Sequence, residues 1–401
     1  QYIHIGGDEA KKFQWKKCKH CQNRIKKESL KNEDELQSYF IKRMEKFINA
    51  NNKKLIGWDE ILEGGLAPEA TVMSWRGVKG GVEAAKQGHN VIMTPNSHCY
   101  FDHFQGPQNE EPLGNSGYLP LSKVYQFDPV VETMSKKEAS YVLGGQANLW
   151  AEYIPTEEHS QYMLFPRLAA LAETVWSPKK RRDWDSFSER IISMFKRYEL
   201  LGINYAKSVY LVTADTKMNV EEKVVEVILK NEFSKSDIRY SINGNELNSA
   251  SKKYTEPIKI TKTTNLKASL FENDTPIGRE LNQTIKFHKA LGKRITYDET
   301  YSDSYKGVGK FNLVNTVRGT KNFRDGQWQA WLDKDMEVII DLEKEVDNAV
   351  KGKTLNKQKL KNLEIPLPPI EEQKRIVAKI DGLFAKIDKA ITLTSGSVSL
   401  N

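Results

Sequence analysis

Residues 3–10 read IHIGGDEA. A short apolar run ends in two glycines and then two adjacent acids, Asp8 and Glu9. Residues 2–7 read as a β-strand, and the same texture returns outward from them. KKLIGW (53–58), ATVMSW (70–75), NVIMT (90–94) and residues 141–149 are further short apolar runs. Helical patterns lie between them. Residues 33–50 set Leu36, Phe40, Met44, Phe47 and Ile48 at helical spacing, residues 80–87 form a shorter helix, and 159–174 another, closed by 176–178. A long polar loop is expected at roughly 95–130. Strands alternating with helices predict right-handed βαβ units and a parallel sheet.

In parallel α/β barrels the reactive groups project from the C-terminal ends of the strands. After the first run come Asp8 and Glu9, and after the second Trp58 with Asp59 and Glu60. Trp75 ends the third, Tyr100 and Asp102 follow the fourth, and Trp150 and Glu152 follow the last. Three indoles, a phenol and several carboxylates describe a sugar site. The apolar face of a pyranose stacks on indole, carboxylates accept from hydroxyls, and a carboxylic acid of raised pKa protonates a glycosidic oxygen. The plainer reading makes the tryptophans core residues and the two acids a helix N-terminal pair favoured by the dipole. Adjacent acids cannot straddle a glycosidic bond, because a retaining pair stands about 5 Å apart on different strands. Another nucleophile is then needed, and a substrate's own 2-acetamido oxygen is one solution.

With 401 residues, the chain has room for two or three domains. Apolar residues at 39% and charged residues at 28% mark a globular chain, and no stretch is long and apolar enough for a transmembrane helix. The start lacks a signal peptide and an initiator Met, so Gln1 is expected to open a processed or truncated chain. The net charge is +8, and residues 351–401 supply most of it, with ten Lys/Arg against five acids. Nucleic acid is not an expected partner, since a lysine-rich background accounts for the rest. Cys18 and Cys21 form CKHC in a polar loop, and Cys99 stands alone. One CxxC without further ligands does not make a zinc site, so no metal is expected. A disulfide and free thiols both stay open.

Residues 184–206 read as one more helix, with Phe187, Ile191, Phe195, Tyr198 and Leu201 on one face. From about 208 short strands follow at 224–229, 238–242, 258–260, 266–271 and 284–287, with Asn243-Gly244 as a hairpin turn. This predicts a small antiparallel β-sandwich, then a β-rich piece over 290–342. LEIPLPP (363–369) opens an extended entry to a helix with Ile376, Ile380, Leu383, Ile387 and Ala390 along a coiled-coil-like seam.

HIGGDEA, GWDEIL, VMSWRG, TPNSHCYFD and GGQANLWAEYI, in that order, resemble the catalytic domain of glycoside hydrolase family 20. These are the β-N-acetylhexosaminidases, or chitobiases. The resemblance implies an exo-acting retaining enzyme for terminal β-linked GlcNAc or GalNAc, with no cofactor. It makes Glu9 the acid/base and Asp8 the group that orients the acetamido N–H. Tyr100 would donate to the acetamido oxygen. Trp58, Trp75 and Trp150 would wall the site, while Asp102 and Glu152 would bind outer hydroxyls. It also implies a periplasmic or secreted location. IRYSINGNE, YTEPIKI and LKASLF resemble the small β-sandwich found C-terminal to such enzymes, and residues 313–342 resemble the opening of a discoidin-like module. LNKQKLKNLEIPLPPIEEQKRIVAKIDGLFAKID resembles the spacer helix of a type I restriction–modification DNA-specificity subunit, which packs against another helix.

The family's acid pair follows the fourth of eight strands, whereas here it lies at residues 8–9. The expected architecture is therefore α/β: strands 4–8 of a (β/α)8 TIM barrel over 1–206, a β-sandwich module over 207–289, a partial discoidin-like module over 290–342 and a spacer helix over 350–395. The family's Arg and His from the first strands have no counterpart, so an incomplete site is expected. The other function classes left open are a non-catalytic carbohydrate-binding fragment and a DNA-specificity fusion acting through the tail.

Overall fold

The computed structural model describes residues 1–342, apart from Val220, Glu221, Lys223, Ser234, Val317, Arg318 and residues 320–326. The spacer helix expected at 350–395 lies outside the described residues. β1 (Tyr2–His4) leads to two short helices, α1 (Phe13–Lys17) and α2 (Lys19–Lys27), and then to α3 (Glu33–Ala50). The CKHC stretch is thus a helix junction and not a loop. β2 (Lys54–Trp58), β3 (Thr71–Ser74), α4 (Lys79–Lys86) and β4 (Val91–Met93) follow.

Residues 95–130 are not a polar loop. They form α5 (Asn96–Cys99), β5 (His103–Phe104), β6 (Asn115–Tyr118) and α6 (Leu121–Tyr125), and Phe101, Leu119 and Val124 are fully buried there. α7 (Lys136–Ala139) and β7 (Val142–Gly145) come next. The single helix expected at 159–174 is two, α8 (Glu157–Leu164) and α9 (Arg167–Trp176). Pro166 divides them, since its ring clashes with a preceding turn and it donates no N–H. α10 (Trp184–Leu200) buries Phe187, Ile191, Phe195 and Tyr198, but Leu201 lies past its end and is exposed.

Five strands form one parallel sheet in the order β1-β2-β3-β4-β7. Each helical crossover returns the chain in the same direction, which only parallel pairing permits. β3 is buried along its whole length, whereas β1 is exposed at every residue. β1 and β7 are therefore the edges and β3 is the centre.

α3 starts where sequence periodicity puts it, capped by the Asn32 side chain on the Glu35 N–H at 3.0 Å and favoured by three acids in its first turn. Its inward face differs from the expected one. Phe40 and Phe47 are exposed, and the buried side carries Gln37, Ser38, Ile41, Glu45 and Ile48. The polar members hold loops. Gln37 donates to the Gly7 carbonyl at 2.8 Å, Ser38 donates to the Gly65 carbonyl, and Glu45 accepts the Glu69 N–H at 2.7 Å.

Beyond α10 come β8 (Thr213–Asn219), β9 (Val224–Lys230), β10 (Asp237–Ser241), β11 (Lys252–Lys253), β12 (Ile258–Ile260), β13 (Thr264–Glu272) and β14 (Thr275–Ile285). They form two antiparallel sheets, β11-β10-β13-β14 and β12-β9-β8. β10 turns back to β11 through residues 242–251, so Asn243-Gly244 bends a longer loop and is not a two-residue hairpin. β15 (Arg294–Tyr297) and β16 (Val338–Asp341) pair antiparallel in the last described piece.

One side chain ties the sheet end to the helices behind it. Arg167, at the start of α9, is 0% exposed. Its guanidinium donates to the carbonyls of His103 (2.9 Å), Leu119 (3.1 Å), Phe101 (2.5 Å) and Met163 (2.6 Å), and lies over the Phe101 ring. Burial pulls its pKa down to about 9, so it remains charged at neutral pH. We predict that Arg167→Met lowers unfolding stability by roughly 3–5 kcal/mol, because each buried acceptor left bare costs ~1–3 kcal/mol. Urea midpoints would measure this, and a loss under ~1 kcal/mol would contradict the role of the guanidinium as a hub.

Candidate active site

The C-terminal ends of the five parallel strands lie along one side of the sheet. Asp8 and Glu9 follow β1, and both are exposed. Glu9 has φ +48°, a left-handed conformation uncommon for a residue with a side chain. The two preceding glycines make that turn possible, with φ of +72° and +100° at Gly6 and Gly7. A Cβ at Gly7 would meet Ile61 at 2.6 Å, so glycine is also needed for packing. The Gly6 carbonyl accepts the Trp58 N–H at 2.9 Å, which fastens the acid-bearing turn to the end of β2.

The aromatic residues converge. The His4 and Trp58 rings are 4.8 Å apart, edge to face. Trp58 and Trp150 stand 5.9 Å apart, Tyr100 and Trp150 6.4 Å, and Trp75 stacks on Tyr100 at 6.1 Å. Trp58, Trp75, Tyr100 and Trp150 thus form one aromatic group drawn from four strand ends. Trp58 and Tyr100 are mostly buried, while Trp150 is 40% exposed.

Tyr100 is clamped from behind. It bridges to Asn148, Phe101 N–H donates to the Asn148 carbonyl at 2.7 Å, and Asn148 donates to Thr94 at 2.8 Å. Burial pushes the Tyr100 hydroxyl up to about 12, so it stays a proton donor across the neutral range. Asp102 is 1% exposed. One of its oxygens accepts from Asn115 at 3.1 Å, while Oδ1 has no partner among the described residues. Burial raises its pKa, and Glu152 adds to the rise. Glu152 itself is exposed. Arg167 holds the carbonyls on both sides of Asp102, at Phe101 and His103.

A second layer went unassigned in the sequence. Asp59 and Glu60 are buried at 2% and 5% exposure. Glu60 accepts the Trp75 indole N–H at 2.9 Å, and Arg76 donates to Asp59 at 2.9 Å and to Glu63 at 3.3 Å. The pair of acids beside Trp58 was visible in GWDEI, but nothing there marked Glu60 as the partner of Trp75. His4 was also missed, because a strand histidine carries no spacing signal. Arg167 was missed for the same reason.

Residues 1–179 match glycosyl hydrolase family 20, catalytic domain. Residues 219–278 match the chitobiase/beta-hexosaminidase C-terminal domain, and residues 338–394 match the type I restriction modification DNA specificity domain. A beta-hexosaminidase of Porphyromonas gingivalis is 52% identical over 205 residues, covering 51% of this chain and 26% of that protein. A beta-hexosaminidase of Vibrio furnissii is 33% identical over 174 residues, covering 43% of this chain and 28% of that protein. The chain thus spans about a quarter of the length of these relatives. An exo beta-N-acetylglucosaminidase structure from Vibrio harveyi shares 30% identity over 52% of this chain and 33% of its own, with a TM-score of 0.48.

The buried acids beside Trp58 carry a titration that can be read from outside. Burial pushes the Asp59 carboxyl up to about 6, against the pull of Arg76 and with help from Glu60. In the unfolded chain an aspartate titrates near ~4. Between about pH 4 and pH 6 the folded state therefore holds more protons, and stability falls as pH rises through that window. We predict that Asp59→Asn flattens this fall. Urea midpoints for both proteins across the window would measure it, and parallel curves would count against the assignment.

Proposed function

We propose that residues 1–206 carry the acetamido-sugar site of a glycoside hydrolase that releases terminal, non-reducing β-linked N-acetylhexosamine with retention. The observation that carries this reading is the adjacent pair Asp8–Glu9 just past β1, whose neighbour β2 carries Trp58 of a converging group of three tryptophans and a tyrosine. In this reading the parallel sheet corresponds to strands 4–8 of a (β/α)8 barrel. Two neighbouring acids suit a substrate that brings its own nucleophile.

The acetamido carbonyl oxygen attacks the anomeric carbon while the Glu9 carboxylic acid protonates the departing glycosidic oxygen. The Asp8 carboxylate accepts the acetamido N–H and balances the positive charge of the cyclic intermediate. Glu9, now ionised, takes a proton from water as that water opens the intermediate from the leaving-group side. Two displacements give net retention. Tyr100, held protonated by burial, donates to the attacking acetamido oxygen. Trp58, Trp75 and Trp150 receive the apolar ring face and the acetamido methyl. Asp102, with one oxygen unpartnered, and Glu152 accept from the outer hydroxyls.

The same reading carries a periplasmic or secreted location. Fractionation of the producing cells tests it, and a purely cytosolic pool would argue against it.

We predict that turnover of an N,N′-diacetylchitobiose substrate by this chain drops roughly 10²–10⁴-fold in Glu9→Gln, as expected for loss of a general acid/base. Steady-state kinetics of the two proteins side by side would decide, and an unchanged kcat would remove Glu9 from the mechanism. If neither protein turns over but the wild type binds N-acetylglucosamine with a tryptophan fluorescence change, the carbohydrate-binding reading replaces the catalytic one.

A further inference from the structure

Cys18 and Cys21 are used by nothing in the proposed sugar chemistry. Both are free thiols and partly accessible. They sit where α1 ends and α2 begins, in the connection between Glu9 and α3. Cys18 closes α1 and is also the N-cap of α2, and its sulfur accepts the Cys21 N–H at 3.5 Å. Each thiol is also the hydrogen-bond partner of the other. The N-cap and the third helical position lie one turn apart, on the same side of the helix start. A disulfide requires Cα atoms about 4.4–6.8 Å apart, a separation this spacing supplies without unwinding the helix.

Zinc is a poor alternative, because it wants four ligands. Among the described residues no group of three or more His, Cys, Asp or Glu could hold a metal, and His20 between the two thiols does not complete one. The surroundings suit thiolate chemistry. Lys16 and Lys17 end α1, and Lys19 and His20 open α2. We propose that Cys18 and Cys21 form a reversible dithiol–disulfide pair, with Cys18 as the attacking sulfur and Cys21 as the resolving one.

Hydrogen bonds from Cys21 lower the Cys18 pKa, while the contact with Cys18 raises that of Cys21. This splits the pair into a nucleophile and a resolver. The oxidant is a low-molecular-weight disulfide such as oxidised glutathione. The Cys18 thiolate attacks one of its sulfurs, forms a mixed disulfide and expels one glutathione thiolate. Cys21 then loses its proton and attacks the Cys18 sulfur, forming the internal bond and expelling the second glutathione. The protein gives up two electrons and two protons, and both leave on the two glutathione thiols. Cys99 cannot take part, since it is fully buried and burial raises its pKa.

The test uses the full 401-residue chain. It is reduced, desalted, incubated with oxidised glutathione, quenched in acid, alkylated and peptide-mapped by mass spectrometry. The peptide spanning Cys18 and Cys21 is expected to lose two hydrogens and escape alkylation, while Cys99 labels only after unfolding. In Cys21→Ser the reaction is expected to stop at a glutathione adduct on Cys18. In Cys18→Ser it is expected not to start, and the serine hydroxyl keeps the helix cap, so this variant folds. Iodoacetamide at neutral pH is expected to modify Cys18 about tenfold faster than Cys21, following thiolate content. Glutathione persisting on both cysteines, both thiols remaining alkylatable, equal alkylation rates, or stoichiometric zinc in the reduced protein would each overturn the proposal. None of these outcomes depends on whether the chain acts on a sugar.

Discussion

A single buried guanidinium organises the region between the sheet and the helices behind it. Among the described residues Arg167 has no carboxylate in direct contact and instead spreads its charge over four backbone carbonyls from three separate segments. Two of those carbonyls, at Phe101 and Leu119, belong to residues outside any helix or strand, and the other two lie in β5 and α8. An ion pair would have fixed one point, whereas four carbonyls fix the path of a chain. Tyr100 and Asp102 inherit their positions from it, because the segment that carries them is pinned on both sides of Asp102. The charge that orders this group of residues is thus itself fully buried.

The same device recurs in weaker form. Gln37, Ser38 and Glu45 turn inward from α3 to hold backbone groups of the loops after β1, after β2 and before β3. Glu60 holds the Trp75 indole, and Arg76 neutralises the acids beneath it. Buried polar groups carry a desolvation cost unless they are paired, so each inward side chain specifies one loop geometry and rejects others. Rigid aromatic walls on irregular loops require such ties, since strands this short cannot position their own ends.

The five strands were legible because each is a short apolar run followed by polar punctuation. Their parallel pairing followed from the alternation of strands with helices. The aromatic strand ends were legible for the same reason: Trp58 and Trp75 sit at a fixed offset from an apolar run. What escaped reading was polar burial. Periodicity assigns an amphipathic helix its apolar stripe, and it put Phe40 and Phe47 inside α3. The polar side won because Gln37, Ser38 and Glu45 each find a backbone partner there. Residues 95–130 looked like a polar loop because their apolar residues follow no period, yet a buried arginine distant in sequence orders them. Pro166 was a visible helix breaker, and the even spacing on either side of it hid the break.

The centre of the sheet also holds one wall of the candidate site in place. β3 is sealed on both faces, and Trp75 hangs from it with the indole tied to Glu60. Local unfolding starts where buried contacts are fewest, so amide exchange should be slow along β3. The indole that the proposed reading sets against a sugar ring is then anchored to a strand buried along its whole length.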